Sequence, residues 1–303
     1  MTRARIIFVP GLNPKPPPEI YRAQLVRVLL AALRRMRPRA AEWLSEHGDA
    51  FVLVAWTYLF YGAHRDIGMD LPGIERLLEQ TEPTAEDVRE LGSWSRRAQR
   101  WTHLVGDAWP FLGRRLAPPT TRRLMHEASR YLKNRDGVGA AVRNVLRSTL
   151  ETAWRDGDRV LLIGHSLGSV IAYDTLWELS HVQRATGEVS LLVTLGSPLG
   201  TRFVQRSLQG ARELGAARYP RNVRRWVNMT ARGDTTALQP RLKPLYHEML
   251  DLGAVDAIEE FVDFDNFFRG SLGLNAHESY GYLAQPVLAE IIGDWLERAV
   301  DLG

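Results

Sequence analysis

The chain has 303 residues, of which 45% are apolar and 24% are charged, an ordinary composition for a soluble globular protein. It contains no cysteine, which excludes disulfide bonds, thiol nucleophiles and cysteine-ligated metal sites. The formal net charge is +4 and the arginines are scattered along the sequence, which favours a solvated surface over a nucleic-acid-binding face.

The hydrophobic segments indicate neither a membrane span nor an export signal. The longest nearly continuous apolar run, residues 51–60, is about half as long as a membrane-spanning helix. The first strand-like run starts at Ile6, which leaves no room for a secretory signal peptide before it. We therefore expect a cytoplasmic protein. The sequence is silent on its oligomeric state.

Strand-like and helix-like segments alternate along the first part of the chain. Residues 5–9 predict a short strand that ends at Pro10-Gly11. A helix with Pro18 near its start follows; its apolar residues recur with a period of 3.6, and it should stop before Pro38. Residues 51–60 are apolar and rich in aromatic side chains, which predicts a buried strand.

The alternation resumes after residue 137 and continues to the end of the chain. The predicted elements are a helix over 138–154, a strand over 159–164, a helix over 167–180, strands over 189–195, 223–230 and 261–264, and a helix that starts at Pro286. This order favours a single α/β domain over residues 1–303, with a mostly parallel sheet covered by helices on both faces.

Residues 62–136 interrupt the alternation and predict a helical insertion. We consider three roles for it: a cap that forms an acyl pocket over the active site, a basic tryptophan-bearing helix that docks on lipid interfaces, or a helical packing layer only. One apolar stripe of this segment needs a surface to bury against: Leu91, Trp94, Ala98, Trp101, Val105, Ala108 and Leu112.

The pentapeptide Gly164-His165-Ser166-Leu167-Gly168 fits the pattern Gly-x-Ser-x-Gly. The pattern alone is weak, and a glycine-rich turn without chemistry would also satisfy it. Its position is more informative, because a buried strand precedes it and a helix follows at once. In this context the serine lies on a sharp, strained turn, and the glycines leave room for the adjoining strand and helix.

With this motif, the segments 8–13, 194–200 and 277–280 resemble the α/β-hydrolase superfamily, in particular its bacterial lipase and serine-esterase branches. The resemblance implies a reduced form of the fold with five or six strands, since the family's initial antiparallel strands are missing here. It also implies a triad in the chain order serine, acid, histidine. Residues 62–136 match nothing in the family.

The resemblance places the catalytic base at His277, in a loop before the terminal helix. His247 is an alternative that precedes the last predicted strand, whereas His181 lies too far from Ser166 at the other end of the helix. We expect the Ser166 hydroxyl to lie within about 2.6–3.5 Å of one ring nitrogen of His277, with Asp234 facing the other nitrogen.

Asp234 is the preferred acid because it lies at the carboxyl end of the strand predicted over 223–230, where it would hold the His277 tautomer and stabilise the imidazolium. A turn aspartate without function is the plain alternative. Asp263 and Asp265 are the reserve candidates for the acid.

Two backbone N–H groups should form the oxyanion hole. Leu167 supplies one at the start of the helix, and by resemblance Leu12 supplies the other, with Gly11 allowing close approach of the backbone. Ser197 is expected to be structural. The sequence shows no metal-ligand motif and no phosphate-binding glycine loop, so we predict neither a metal nor a cofactor.

These residues predict a serine hydrolase that cleaves carboxylic esters, with small-molecule acyl esters as substrates and possible lipid contact through the insertion. An acyltransferase or a phospholipase with the same triad is the alternative among enzymes. A non-catalytic α/β-hydrolase fold that serves as a binding module is the alternative of another class. The presence of Ser166, Asp234 and His277 together argues against it.

Overall fold

Six parallel β-strands run through the centre of the protein in the computed structural model, which describes residues 3–93, 119–271 and 273–301. The strands are β1 (Arg3–Val9), β2 (Phe51–Leu53), β3 (Asp158–His165), β4 (Val189–Leu195), β5 (Arg225–Met229) and β6 (Ala257–Phe261), with the spatial order β2-β1-β3-β4-β5-β6. Two short strands, β7 (Arg269–Gly270) and β8 (Gly273–Leu274), form a separate antiparallel pair. The protein has an α/β fold, as predicted.

Helices cover both faces of the sheet, because alternate side chains of a buried strand point to opposite sides. Ile6 and Phe8 of β1 lie in one apolar core, whereas Ile7 and Val9 lie in the other. The described helices are α1 (Pro18–Met36), α2 (Pro38–Glu46), α3 (Thr57–Tyr61), α4 (Leu71–Glu79), α5 (Ala85–Leu91), α6 (Pro119–Leu132), α7 (Val138–Arg155), α8 (Leu167–His181), α9 (Arg202–Gln205), α10 (His247–Asp251), α11 (Ser279–Leu283) and α12 (Pro286–Ala299). The first core is covered by α1, α2 and α12, and the second by α7 and α8.

The long predicted helices are confirmed, and proline and glycine set their ends. α1 begins at Pro18. Proline has no backbone N–H, and at the first position of a helix an N–H would have no intrahelical acceptor. It ends at Met36, and Pro38 then begins α2. Gly157, with φ of 76°, makes the turn between α7 and β3.

The prediction of a single strand over residues 51–60 is wrong. Only Phe51–Leu53 pairs with β1, and the chain then leaves the sheet and forms α3. The Trp56 indole donates its N–H to the carbonyl of Pro10 at 2.9 Å, and it packs with Phe60 in the second core. The aromatic composition of this segment reflects the burial of a short helix and not strand pairing.

The last strand of the sheet lies over Ala257–Phe261, so the strand predicted over 261–264 is misplaced. Ile258 is buried, whereas its neighbours Glu259 and Glu260 are only partly buried. Charged side chains are typical of an edge strand, and they hide its apolar pattern. β5 is also shorter than the predicted 223–230, although Val223 makes an isolated bridge with Val189.

The described parts of the insertion contain the helices α4, α5 and α6. α4 packs on α1, where Arg27 and Glu75 form an ion pair at 2.6 Å, and α6 packs on α7. Most of the predicted apolar stripe falls outside the described residues, namely Trp94, Ala98, Trp101, Val105, Ala108 and Leu112. In the part of the chain that the structure covers, no helix combines the length and apolar content needed to cross a membrane.

The winding direction of the sheet reverses between β1 and β3. β2 lies on one side of β1, and β3 to β6 follow on the other side. Loops that leave the carboxyl ends of strands at such a reversal diverge, which opens a crevice where ligands bind in sheets of this kind. The loop 10–13 follows β1 and Ser166 follows β3, so both lie at this crevice.

Candidate active site

Ser166 is the single residue between β3 and α8, and its backbone is strained. Its φ is 53° and its ψ is −126°, a conformation that costs energy for any residue other than glycine. Its N–H donates to the carbonyl of Leu195 at 2.9 Å, and its own carbonyl accepts from the N–H of Ser169 at 3.0 Å. This is the sharp strand-to-helix turn that the motif predicts, and it presents the serine at the carboxyl edge of the sheet.

The glycines of the motif are required by close packing around this turn. A Cβ atom on Gly164 would lie 2.6 Å from Cα of Ser169, and one on Gly168 would overlap the carbonyl oxygens of Val9 and Pro10. Larger residues would push α8 away from β1 and β3. The local sequence therefore fixes the helix start close to the strand ends.

Ser197 supports the turn from the neighbouring strand, which agrees with the structural role predicted for it. Its hydroxyl lies 2.7 Å from that of Ser169, and it accepts a hydrogen bond from the N–H of Leu199 at 3.2 Å. Ser169 in turn donates to the carbonyl of Ser166 at 2.6 Å. The end of β4 is thereby tied to the backbone of Ser166.

Asp234 and His277 form a hydrogen-bonded pair at the carboxyl edge of the sheet. Asp234 lies in the loop after β5, His277 lies in the loop before α11, and Oδ2 of the aspartate is 2.8 Å from Nδ1 of the histidine. A Cβ atom on Gly196, which follows β4 and has φ of 54°, would lie 2.6 Å from Asp234 Oδ2 and 2.9 Å from His277 Nδ1. The pair therefore lies directly over the end of β4, the strand next to β3.

The surroundings of Asp234 keep it ionised. Burial raises the pKa of this carboxyl, but the neighbouring His277 and the hydrogen bonds from His277, Tyr282 and the Thr236 N–H outweigh burial, so the pKa lies below its ordinary value. The Tyr282 hydroxyl donates to Oδ2 at 2.7 Å. An ionised carboxylate only accepts hydrogen bonds, so Nδ1 of His277 carries the proton and Nε2 keeps a free lone pair.

The predicted contact between the Ser166 hydroxyl and a ring nitrogen of His277 is not observed as a hydrogen bond in this structure. Among the described residues, no hydrogen bond joins the Ser166 hydroxyl to His277. Catalytic hydrogen bonds are often long before substrate binds and tighten in the complex. The two residues are linked through His165, whose ring centroid lies 4.7 Å from that of His277.

The alternative histidines lie elsewhere. His247 is exposed at the start of α10, where its Nδ1 lies 2.9 Å from the carboxylate of Asp251. His181 ends α8, as predicted, and its Nε2 lies 2.7 Å from the carbonyl of Tyr219. Neither contacts Ser166.

The two reserve candidates for the acid do not contact His277. Asp265 forms a bidentate ion pair with Arg232, with distances of 2.8 Å and 2.6 Å. Asp263 is exposed. Of the three carboxylates considered in the sequence, only Asp234 contacts His277.

The two predicted oxyanion donors are near Ser166 and have no competing acceptor. A Cβ atom on Gly11 would lie 2.6 Å from Cβ of Ser166, which places the loop 11–13 against the serine. Leu167 is the first residue of α8, where backbone N–H groups lack intrahelical acceptors and carry partial positive charge. Within the described residues, neither the Leu12 nor the Leu167 N–H donates a hydrogen bond.

The loop after β1 is anchored by Tyr61, a residue to which the sequence assigns no role. Asn13 adopts φ of 73°, and its N–H donates to the hydroxyl of Tyr61 at 3.0 Å. That hydroxyl donates to Glu127 of α6 at 2.7 Å. These contacts join segments distant in sequence, so no local pattern reveals them.

Residues 3–93, 119–271 and 273–301 contain no group of three or more His, Asp or Glu side chains that would hold a metal ion.

Comparison of the chain with protein-family models, with curated proteins and with solved structures found no match. The interpretation of the site therefore rests on its own geometry.

Proposed function

We propose that this protein is a serine hydrolase of the α/β-hydrolase type that cleaves carboxylic esters through an acyl-enzyme on Ser166. One observation carries the proposal: a serine on a strained turn with φ of 53° follows β3, and over the end of the neighbouring strand β4 a buried aspartate carboxylate lies 2.8 Å from a histidine ring nitrogen. Strained backbone and buried charged pairs cost stability, and both concentrate at functional sites.

The first chemical step uses the free lone pair of His277. As Ser166 Oγ attacks the acyl carbonyl carbon, its proton passes to Nε2 of His277, and the electron pair of the carbonyl bond moves onto the oxygen. Asp234, fully buried and ionised, stabilises the imidazolium that results. The N–H groups of Leu12 and Leu167 bind the oxyanion.

The second half of the cycle returns the proton. When the tetrahedral intermediate collapses, the ester C–O bond breaks and His277 protonates the leaving alcohol. Water then enters, gives a proton to His277 and attacks the acyl-enzyme. The bond between Ser166 Oγ and the acyl carbon breaks, His277 returns the proton to Oγ, and the carboxylic acid is released. An alcohol in place of water would give acyl transfer by the same residues.

We propose that the insertion covers this site and contributes to the acyl pocket. α6 reaches the loop of the oxyanion donors through the contact from Glu127 to Tyr61 and from Tyr61 to Asn13. The start of the insertion is also bonded to the chain that continues from this loop, since the Arg65 N–H donates to the carbonyl of Lys15 at 3.0 Å. The insertion is therefore attached at the mouth of the crevice.

Tyr61→Phe removes the acceptor of the Asn13 N–H and should loosen the loop that carries Leu12. We expect kcat for a short acyl ester to fall about tenfold, because small displacements of an oxyanion donor weaken it strongly. Tyr58→Phe on the same helix is the matched control, because Tyr58 is exposed and, within the described residues, its ring stacks on His64. Equal kcat values for the two variants would show that this anchor does not act on the site.

A panel of p-nitrophenyl esters, from acetyl to dodecanoyl, tests the proposed function and defines the acyl pocket. We expect saturable hydrolysis by the protein with a preferred chain length. The same preparation is then given phosphatidylcholine, and separately a short ester with added alcohol acceptors, which distinguishes a phospholipase and an acyltransferase from an esterase. If none of these acyl compounds reacts, the proposed function is wrong.

A further inference from the structure

His165 joins the serine turn to the loop that carries His277. It is the last residue of β3 and immediately precedes Ser166, so the sheet fixes its backbone. Its Nε2 lies 2.7 Å from the backbone carbonyl of His277, a contact between residues 112 positions apart in the chain. The two imidazole rings are also packed together, with centroids 4.7 Å apart and an angle of 36° between their planes.

The same ring touches the loop of the oxyanion donors. A Cβ atom on Gly11 would lie 3.2 Å from Nδ1 of His165, so the ring lies between this loop and His277. Three parts of the proposed site therefore meet at one side chain that is only 3% exposed. A shift of this ring would move His277 relative to both Ser166 and Leu12.

The hydrogen bond defines the tautomer of His165. A carbonyl oxygen only accepts, so Nε2 carries the proton and Nδ1 has a bare lone pair. Nδ1 is buried and has no hydrogen-bond partner among the described residues. An unpaired buried nitrogen is unfavourable for stability. The ring is therefore explained by the bond from its Nε2–H to the loop of His277 and not by the surroundings of Nδ1.

The ring also stays neutral. Burial, and then the electrostatic effects of a protonated His277 and of Lys15, lower the pKa of His165 to about 3 against the opposing effects of Glu278 and of the His277 carbonyl. Among the described residues, Tyr282 also lies against the ring, at a centroid distance of 6.0 Å. A neutral His165 does not oppose the positive charge that His277 acquires when it takes the serine proton.

Resting on the proposed function, we propose that His165 is a positioning residue: its Nε2–H group holds the main chain of His277 so that the imidazole lies between Asp234 and Ser166. It does not touch substrate and takes no proton in the cycle. Its effect should therefore appear in kcat and not in KM.

The test compares His165→Phe, which keeps a ring and removes the donor, with His165→Gln, whose longer amide still reaches the carbonyl. We expect His165→Phe to lower kcat for a short ester by about 10- to 100-fold with little change in KM, since small misplacements of catalytic groups have effects of this size. His165→Gln should recover most of the loss. His181→Phe is the matched control, because His181 makes the same kind of bond, 2.7 Å from Nε2 to the Tyr219 carbonyl, away from the site.

Wild-type kcat in a folded His165→Phe variant would overturn the positioning role, as would an equal loss in His181→Phe. If His165→Phe does not fold, His165→Asn and His165→Gln decide the question, because the shorter amide cannot reach the carbonyl; equal kcat in these two would also overturn it. Failure of the proposed function is distinguishable, since the wild-type protein would then hydrolyse no ester and would not react with a fluorophosphonate at Ser166.

Discussion

Ser166→Ala should fold normally and lose ester hydrolysis by about 10⁴- to 10⁶-fold in kcat, the loss typical of removing a serine nucleophile. The hydroxyl makes no capping hydrogen bond to α8, so its removal leaves no helix N–H unpaired. Alanine also has the same Cβ atom, so the strain at φ of 53° is unchanged. We therefore expect little change in the free energy of unfolding, measured by urea denaturation alongside kcat.

Ser180→Ala is the matched control for this variant. Ser180 lies on the same helix α8, and its hydroxyl bonds the Leu176 carbonyl and the Arg221 N–H instead of facing the crevice. Its kcat should equal that of the wild-type protein. Hydrolysis by purified Ser166→Ala at a rate near the wild-type value would remove the basis of the proposed mechanism.

Asp234→Asn should lower kcat by about 10⁴-fold, as expected for loss of the carboxylate that fixes a triad histidine. Asp234 Oδ1 accepts from the N–H groups of Thr236 and Ala237, so the amide oxygen of asparagine will occupy that place. The amide nitrogen then faces His277 and Tyr282 and donates to Nδ1. This reverses the tautomer, puts the proton on Nε2 and leaves His277 unable to accept the proton of Ser166.

Asp265→Asn tests the same substitution outside the site. Asp265 pairs with Arg232 and was a reserve candidate for the acid in the sequence. We expect wild-type kcat for this variant, with thermal melting used to show that both aspartate variants are folded. If Asp265→Asn were the inactive variant and Asp234→Asn the active one, the assignment of the acid would be wrong.

The parts of the site that lie close together in sequence could be predicted from it. The strand, the Gly-x-Ser-x-Gly turn and the helix start follow from an apolar run and from two glycines whose replacement would overlap neighbouring backbone. The pairing of Asp234 with His277 was expected from the resemblance to α/β-hydrolases, together with the position of Asp234 after a predicted strand. The 2.8 Å distance between them agrees with that expectation.

The supporting contacts could not be predicted, because each joins segments that only tertiary packing brings together. Tyr282 is 48 positions from Asp234, Tyr61 is 48 positions from Asn13, and His165 is 112 positions from His277. The apolar composition of residues 51–60 was also misleading, because Trp56 and Phe60 are buried at the short helix α3, which ends at Tyr61 and is followed by Gly62. A buried helix segment and a buried strand have the same apolar composition.

Covalent labelling with a fluorophosphonate probe, followed by mass spectrometry of the intact protein and of its peptides, tests the central claim most directly. Such a probe reacts with a serine only when a base activates it and an oxyanion hole receives the developing charge. We predict one adduct per chain, located on Ser166, absent from Ser166→Ala and formed far more slowly by Asp234→Asn. An unlabelled folded protein, an adduct on another residue, or labelling of Asp234→Asn at the wild-type rate would contradict a Ser166–His277–Asp234 triad.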